Sequence, residues 1–268
     1  MRDIKPNAGI RSWYRKQLEA IVKEIDADIR NTILKEYKEK QKAREIATDG
    51  IMDWVGHAMD LLVERWSEKL LGLGGEISRL FASKSMKNYD RAFKRALKGH
   101  GFTVDLKLTD YTKEAAQASI SVNTALIRSI GNQYLEKVQM HVWEAVGAGM
   151  DAGQLSKNLQ RDFGVAKRRA NFIARDQVNK VNSSIEHARR QEIGITEAIW
   201  RHTGSAKEPR QSHIRANGKR YDVRKGLLID GKYIFPGQEI NCGCTSMAVL
   251  PWETQGHIEQ VNTQRKSA

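Results

Sequence analysis

Apolar residues recur every three or four positions along most of this 268-residue chain, and this spacing limits the fold to one built mainly from amphipathic helices. From Trp13 to Tyr37 they mark one helical face, with charged residues between them. A second run follows Asp49 and is predicted to end at the glycine-rich segment 71–75, because glycine makes continuation of a helix costly. The two runs are predicted to pair as an antiparallel helical hairpin.

More helices are predicted before the pattern changes near residue 195. They cover residues 76–98, 111–146, 151–163 and 165–191. A glycine stands shortly after each of them, as is common at helix ends. Between the first two, residues 102–108 alternate apolar and polar side chains, which indicates an extended connector or a short strand.

Short strands separated by turn signals are predicted after Gly194. They cover residues 198–203, 214–216, 227–229 and 232–235. Asn217-Gly218 and Asp230-Gly231 are favoured hairpin turns, because both central positions of such turns need positive φ. The predicted fold class is therefore mainly α with a small C-terminal α+β module, in which long amphipathic helices are followed by short β-hairpins. The predicted parts are an N-terminal helical region 1–100, a second helical part 101–195, a β-rich module 196–252 and a flexible tail 253–268.

The charge of the chain favours a polyanionic partner without identifying one. Lys and Arg number 45 against 32 Asp and Glu, giving a formal net charge of +13 at pH 7. Such a charge attracts phosphate polyanions over long range. A solvated, lysine-rich helical surface accounts for the same composition, so nucleic acid, an acidic protein and solvent stay open as alternatives.

Membrane proteins and secreted disulfide-rich scaffolds are excluded by the sequence. No segment has the ~18 uninterrupted apolar residues of a membrane span, and the first residues lack the apolar core of a signal peptide. We therefore expect a soluble protein that is made in the cytoplasm. The two cysteines, Cys242 and Cys244, are separated by one residue, which does not suit an unstrained disulfide.

His213, Cys242 and Cys244 are candidate metal ligands. Together with Glu239 they supply thiolate, imidazole and carboxylate, the ligand set of zinc, and separated ligand pairs can hold a small module together. The single residue between the cysteines is a tighter gap than the usual spacing of about two to four. Two interpretations stay open: these residues bind a structural zinc ion, or the cysteines are small buried residues beside a hydrogen-bonded histidine.

A nuclease-like site is a third interpretation of the same region. Arg210 and Glu208 precede His213, so a histidine base with a metal-bound water is conceivable. The further groups that such hydrolysis needs would come from strand ends and turns without a known pattern, namely His202, Asp222 and Asp230. No P-loop, dinucleotide-binding turn or Gly-x-Ser-x-Gly elbow occurs. We therefore predict no catalytic residues and no enzyme activity.

Two predicted helices carry clusters of basic residues. On helix 165–191, Arg168 and Arg175 lie seven positions apart and share a face, along which a polyanion could lie. An ordinary exposed helix face is the alternative, since acidic residues are interleaved. The DNA-binding candidates on this helix are Lys167, Arg168, Arg169, Arg175 and Lys180. The second cluster, on helix 76–98, comprises Lys84, Lys87, Arg91, Lys94, Arg95 and Lys98.

An ordered series of motifs runs from Ser119 to Leu250. It consists of Gly149, the pair Leu155 and Leu159, Phe163-Gly164, Ala174-Arg175-Asp176-Gln177, Gly194 to Trp200, Glu208-Pro-Arg-Gln-Ser-His213 with Gly218, Phe235-Pro236, and Cys242-Gly-Cys244. In this order and spacing the chain resembles the phage head morphogenesis family, the Mu F-like minor head proteins. Within it Glu208, Arg210 and Gly218 match the family's structural motif. The chain differs at Asp176, Gly243 and Glu239, where relatives usually have Thr, Arg and, in many cases, His.

The resemblance implies a minor virion component that is present in few copies and has no catalytic turnover. Such a protein joins the procapsid through the portal protein, stays inside the head or at the portal vertex, and supports DNA packaging and delivery. Double-stranded DNA is then the natural partner of the basic charge, and capsid or scaffolding proteins are further candidate partners. The alternatives are a metal-dependent DNA-processing enzyme built around His213, Cys242 and Cys244, and an architectural DNA-binding protein without a portal contact.

Overall fold

The fold is mainly α with a small C-terminal β-rich part, which confirms the predicted fold class. The structure, a computed structural model, describes residues 1–42, 49–204 and 208–250, and for residues 49–52 it describes the backbone alone. The elements are α1 (Ala8–Ile29), a π-helical segment (Arg30–Leu34), α2 (Lys35–Lys42), α3 (Asp49–Lys98), α4 (Asp110–Gly147), α5 (Ala152–Glu192), β1 (Glu197–Arg201), α6 (Gln211–Arg215), β2 (Arg220–Asp222), β3 (Leu227–Ile229), β4 (Lys232–Ile234) and β5 (Thr245–Val249).

The described residues belong to two compact units. The terminal unit takes residues 1–11, 81–119 and those from 175 on, and the helical unit takes residues 12–80 and 120–174. The domain boundaries drawn from the sequence stay predictions, and the predicted tail 253–268 lies outside the described residues. None of the described helices is long and apolar enough to cross a membrane.

The predicted helix end at residues 71–75 was wrong, because α3 continues through these glycines to Lys98. A Cβ on Gly74 would lie only 3.5 Å from Thr124 and Ile127 of α4. α4 therefore packs against this segment of α3, and packing outweighs the low helix propensity of glycine. The break predicted at Gly164 was wrong as well, since α5 runs without interruption from Ala152 to Glu192.

In the helical unit, α1 and α3 pair in antiparallel fashion, as predicted for the first two runs. Lys69 Nζ lies 2.9 Å from Glu24 Oε2, and Arg65 Nη2 lies 2.8 Å from Asp28 Oδ2. The residue numbers of the partners thus rise in α1 while they fall in α3, so the two helices run in opposite directions. The apolar face of α1 is buried, and Tyr14 Oη donates a 2.7 Å hydrogen bond to Asn123 Oδ1 of α4. The helical periodicity thus predicted this part of the core correctly.

Among the described residues of the terminal unit, five short strands form two sheets. Antiparallel β1 lies between β2 and β5, while β3 and β4 form a hairpin. The predicted turn at Asp230-Gly231 is confirmed, because both residues have positive φ, 49° and 76°. The strand predicted at 214–216 was wrong: that segment lies in and just after α6. β5 was not predicted, since four of its five residues are buried and the sequence shows no alternation.

Two arginines of α5 attach it to the rest of the terminal unit. Buried Arg190 donates to Glu186 Oε1 at 2.6 Å and also to the side chain and backbone carbonyl of Ser246 in β5. Arg189 Nε and Nη2 donate to the two carboxylate oxygens of Asp90 in α3 at 2.7 and 2.6 Å. These charge-assisted bonds fix the helix against which the C-terminal strands pack.

Candidate functional site

His213, Cys242 and Cys244 lie together in the terminal unit, as the sequence predicted. His213 is on α6, and both cysteines are in the loop that leads into β5. His213 Nδ1 is 3.4 Å from Cys242 Sγ and 3.8 Å from Cys244 Sγ. All three side chains are buried, and their ligand-type atoms lie within 4.8 Å of one another. Metal binding by these three residues stays a prediction.

Residues of α5 hold the cysteine-bearing loop in place. Asn179 Nδ2 donates to the carbonyl oxygen of Cys242 at 3.0 Å, and Ser183 Oγ donates to that of Pro236 at 2.6 Å. Asp176 Oδ1 accepts a 2.7 Å hydrogen bond from the backbone N–H of Asn241. Helix-borne side chains thus satisfy the polar backbone of a loop that turns back on itself just before β5.

The two thiols share one proton more easily than they lose both. A hydrogen bond from Cys244 lowers the pKa of Cys242 to about 5. The same hydrogen bond, together with burial, raises the pKa of Cys244. One thiolate and one thiol therefore form the pair when no cation is bound. A divalent ion would deprotonate both, since the thiolate is the form that binds metals.

Glu239 lies on the far side of the histidine ring. Its Oε2 is 3.3 Å from His213 Nε2 and 3.3 Å from Arg210 Nε. The approach to the ring lacks the alignment of a hydrogen bond, which leaves His213 Nε2 unsatisfied. Arg210 also donates to the carbonyl oxygen of Ile240 at 3.1 Å, so this arginine of the predicted motif supports the loop of Glu239.

His202 is a neighbour of the cluster that the sequence prediction did not include among the ligands. Its Nδ1 lies 3.6 Å from Cys244 Sγ. The signal for it was the two-residue period of a strand: Trp200, in β1, is buried in the same core cluster as both cysteines, so the residue two positions on points to the same side. Among the sequence-based hypotheses, His202 occurs only in that of a nuclease-like site.

The other members of the nuclease-like hypothesis have local structural roles. Asp222 Oδ1 accepts a 2.7 Å hydrogen bond from the backbone N–H of Arg224, and Asp230 is a turn residue of the β3–β4 hairpin. Glu208 is exposed, and Gly218 has a φ of +82°, which explains glycine there. Across residues 1–42, 49–204 and 208–250, no second group of three His, Cys, Asp or Glu ligands is found.

The five DNA-binding candidates of α5 divide between the two units. Lys167, Arg168 and Arg169 belong to the helical unit, and Arg175 and Lys180 to the terminal unit. Arg169 donates to Ser129 Oγ at 3.1 Å, Arg175 donates to Asn241, and Lys180 lies 2.8 Å from Asp176. Three of the five thus have partners within their own unit, whereas Arg168 is exposed.

A more uniform basic surface lies on α3 within the terminal unit. We call it the α3 basic face; its members are Lys84, Lys87, Arg91, Lys94, Arg95 and Lys98. All six are exposed, while Phe81, Tyr89, Phe93 and Leu97 on the opposite side are buried. Asp90 is the acidic residue within this stretch, and Arg189 holds both of its carboxylate oxygens. Outside this helix, Lys94 Nζ lies 3.7 Å from Asp105 Oδ1, so cations still outnumber carboxylates on the face.

A cavity adjoins the α3 basic face in the same unit. Its volume is about 690 Å³, and basic side chains from the chain start and from the end of α3 line it. These are Arg2, Lys5, Arg95 and His100, which outnumber the one acidic lining residue, Asp3. The concave surface extends the positive field beyond the helix itself.

Comparison with known proteins relates part of the chain to phage proteins. Residues 136–247 match the family model described as Phage Mu protein F like protein. An uncharacterized protein of Haemophilus influenzae (strain ATCC 51907 / DSM 11121 / KW20 / Rd) is 28% identical over 261 residues, which are 93% of this chain and 55% of that protein. The chain thus spans about half the length of this curated relative. No solved structure matches the chain. The matched segment contains the cysteine–histidine cluster, while the α3 basic face precedes it.

Proposed function

We propose, from the match of residues 136–247 to the model of Phage Mu protein F like proteins, that the protein is a minor head protein of a phage virion. It associates with the portal during procapsid assembly and supports packaging and delivery of DNA. The match to the family is the observation that carries this proposal. The matched segment contains the cysteine–histidine cluster, whose three side chains are buried.

DNA contact is the part of the proposal that rests on charge. The α3 basic face presents six exposed cations along one side of a helix, in a chain with a formal charge of +13. Cations at helical spacing can track a phosphate backbone without reading bases. We therefore expect binding to double-stranded DNA that is independent of sequence and weakens steeply as salt rises.

The α3 basic face is tested by the salt dependence of DNA binding. The triple variant Lys87→Gln, Arg91→Gln, Lys98→Gln removes three exposed cations. If each contacts a phosphate, the slope of log K against log salt becomes shallower by about 3, since one contact contributes roughly 0.9. Fluorescence anisotropy with a labelled duplex at several salt concentrations measures this slope.

A matched control removes the same charge elsewhere. The variant Lys16→Gln, Lys23→Gln, Lys38→Gln changes three exposed lysines of α1 and α2 in the helical unit. Its slope should stay that of the wild type. Equal slopes for both triple variants would show that only net charge matters, and the assignment of DNA contact to the α3 basic face would be wrong.

Portal association is tested separately from DNA binding. The protein is co-expressed with the portal protein of the same phage and purified at a salt concentration that abolishes DNA contacts. Retention on the portal supports the proposal, and in fractionated virions the chain should stay with portal-containing heads. Loss of the complex at high salt, together with absence from heads, would instead favour an architectural DNA-binding protein.

The enzymatic alternative predicts a different outcome. A metal-dependent nuclease would nick supercoiled plasmid, and the His213→Ala variant would lose that activity. We expect no nicking by the wild-type protein with Mg²⁺, Mn²⁺ or Zn²⁺. Cleavage that depends on His213 would overturn the assignment as a structural head protein.

A further inference from the structure

We propose that His202, His213, Cys242 and Cys244 together bind one zinc ion, which ties the end of β1 and α6 to the loop before β5. This inference is independent of the proposed function, because it rests on the geometry of the cluster alone. Two thiolates and two imidazoles form a frequent ligand set of structural zinc sites. All four residues lie in the terminal unit.

The separations between the ligand atoms fit a tetrahedral ion. With zinc–sulfur bonds of about 2.3 Å and zinc–nitrogen bonds of about 2.0–2.1 Å, ligand atoms at tetrahedral angles lie roughly 3.5 Å apart. The observed sulfur–nitrogen distances are 3.4 Å for Cys242 and His213, 3.8 Å for Cys244 and His213, and 3.6 Å for Cys244 and His202. The ligand atoms of His213, Cys242 and Cys244, which all lie within 4.8 Å of one another, are thus spaced around a point that a metal ion can occupy, and His202 lies beside this point next to Cys244.

A hydrogen-bonded histidine explains this arrangement less well. Nδ1 of an imidazole has one in-plane position, which holds either a proton or a lone pair. Two sulfurs, those of Cys242 and Cys244, nevertheless lie within 3.8 Å of His213 Nδ1. Hydrogen bonding from His213 reaches one sulfur and leaves the other to the bond between the two cysteines, whereas a cation between the three atoms binds all of them directly. The cluster therefore favours a metal over buried thiols beside a histidine.

Glu239 is placed to orient His213 rather than to bind the ion. If Nδ1 faces the metal, Nε2 carries the proton, and its nearest acceptor is Glu239 Oε2 at 3.3 Å. Histidines that bind metals usually donate their other ring N–H to a carboxylate or carbonyl group, which fixes the tautomer. The unsatisfied Nε2 of His213 gains this partner after a small adjustment of the Glu239 side chain.

His202 completes the coordination from the one side that is less buried. The backbone N–H of His202 donates to Asn217 Oδ1 at 3.0 Å, and Thr203 Oγ1 donates to the carbonyl oxygen of Gly243 at 2.7 Å. These two bonds fix the segment after β1 to the turn after α6 and to the residue between the cysteines. Nδ1 of His202 then reaches the ion by a side-chain rotation.

Four protein ligands leave a tetrahedral zinc ion no position for a water molecule. Catalytic zinc sites keep such a position open, and structural sites close it. The ion would therefore stabilise the C-terminal strands instead of activating a nucleophile. The ion would also cross-link segments that are distant in sequence. They meet in the small core of this region, which contains Trp200, Ile229, Ile234 and both cysteines.

Metal analysis of the full chain and competition with a chromophoric zinc chelator test this proposal. We expect one zinc ion per chain. The His202→Ala variant should bind zinc more weakly than the wild type, and His202→Cys, which restores a ligand, should recover most of the affinity. Glu239→Gln should weaken binding by about 10- to 100-fold. The control His57→Ala removes an exposed histidine of α3 and should change nothing.

Cobalt(II) substitution reads the coordination directly, and circular dichroism shows that each variant is folded. The wild type should give the intense visible bands of a tetrahedral ion and a sulfur-to-cobalt charge-transfer band sized for two thiolates. His202→Ala should change the visible bands and keep the charge-transfer band. A wild-type chain that binds neither zinc nor cobalt overturns the proposal. Wild-type affinity in a folded His202→Ala variant overturns the assignment of the fourth ligand.

Discussion

The buried Arg190–Glu186 pair yields a prediction whose size follows from the structure. Glu186 is 5% exposed; its Oε1 accepts from Arg190 at 2.6 Å and its Oε2 accepts from Ser246 Oγ at 3.1 Å. The Glu186→Leu variant removes both bonds and leaves the guanidinium of Arg190, 2% exposed, without its counter-charge. Breaking one partner of a buried ion pair costs about 3–5 kcal/mol, so we expect a loss of that size in the terminal unit.

Replacing both partners should cost less than replacing one. In the double variant Glu186→Leu with Arg190→Met, no charge stays buried, and the desolvation cost of both groups is removed. Burial already raises the pKa of Glu186, which shows that its ionised form is held at a cost. We expect the double variant to unfold at a higher denaturant concentration than Glu186→Leu alone.

The pH dependence follows from the same pKa shift. A raised pKa means that the folded chain binds this proton more tightly than the unfolded chain. This tighter proton binding stabilises the folded chain fully below the ordinary carboxyl pKa. The stabilisation is lost as pH rises through the pKa that Glu186 has in the folded chain. The double variant should lack this contribution.

Hydrogen exchange with mass spectrometry measures these effects locally, because the chain has two units and global unfolding need not be two-state. Peptides from α5 and β5 should lose protection in Glu186→Leu, whereas peptides from α1 should not. A loss below about 1 kcal/mol, or a double variant less stable than the single one, would refute the account of a desolvated, mutually dependent pair.

The remaining predictions concern the glycines of the helical unit and the two cysteines. Gly72→Ala should stabilise α3 by about 0.5–1 kcal/mol, because nothing lies within 4 Å of an added Cβ. Gly131→Ala makes the same gain in helix propensity but overlaps the buried side chain of Leu70, so thermal denaturation should show it less stable than Gly72→Ala by about 1–3 kcal/mol. Cys242→Ser with Cys244→Ser should cost about 1–3 kcal/mol per buried site. Limited proteolysis should then cleave the C-terminal strands first and leave α1 intact; equal resistance of both regions would contradict it.

Local sequence patterns correctly predicted those helices and turns that are determined by neighbouring residues in the sequence. The helical face of α1 is a matter of periodicity, and the β3–β4 hairpin follows from Asp230-Gly231, whose positive φ values suit those residues. The predictions failed where a neighbour decides the outcome. From sequence alone Gly74 predicts a helix end, whereas in the structure Thr124 packs against it and the helix continues. The sequence of β5 lacks alternation because both faces of this strand are buried. Neither neighbour is visible in a local window of sequence.

Sequence and tertiary structure likewise decided different properties of the candidate site. The sequence by itself identified His213, Cys242 and Cys244 as candidate ligands and showed the ordered motifs of the family, because residue type and spacing carry both. Only the tertiary structure decided that these three side chains lie within 4.8 Å of one another and that His202 Nδ1 lies 3.6 Å from Cys244 Sγ. The physical reason is that a site assembled from a strand end, a helix and a loop depends on long-range packing, which residue spacing does not encode.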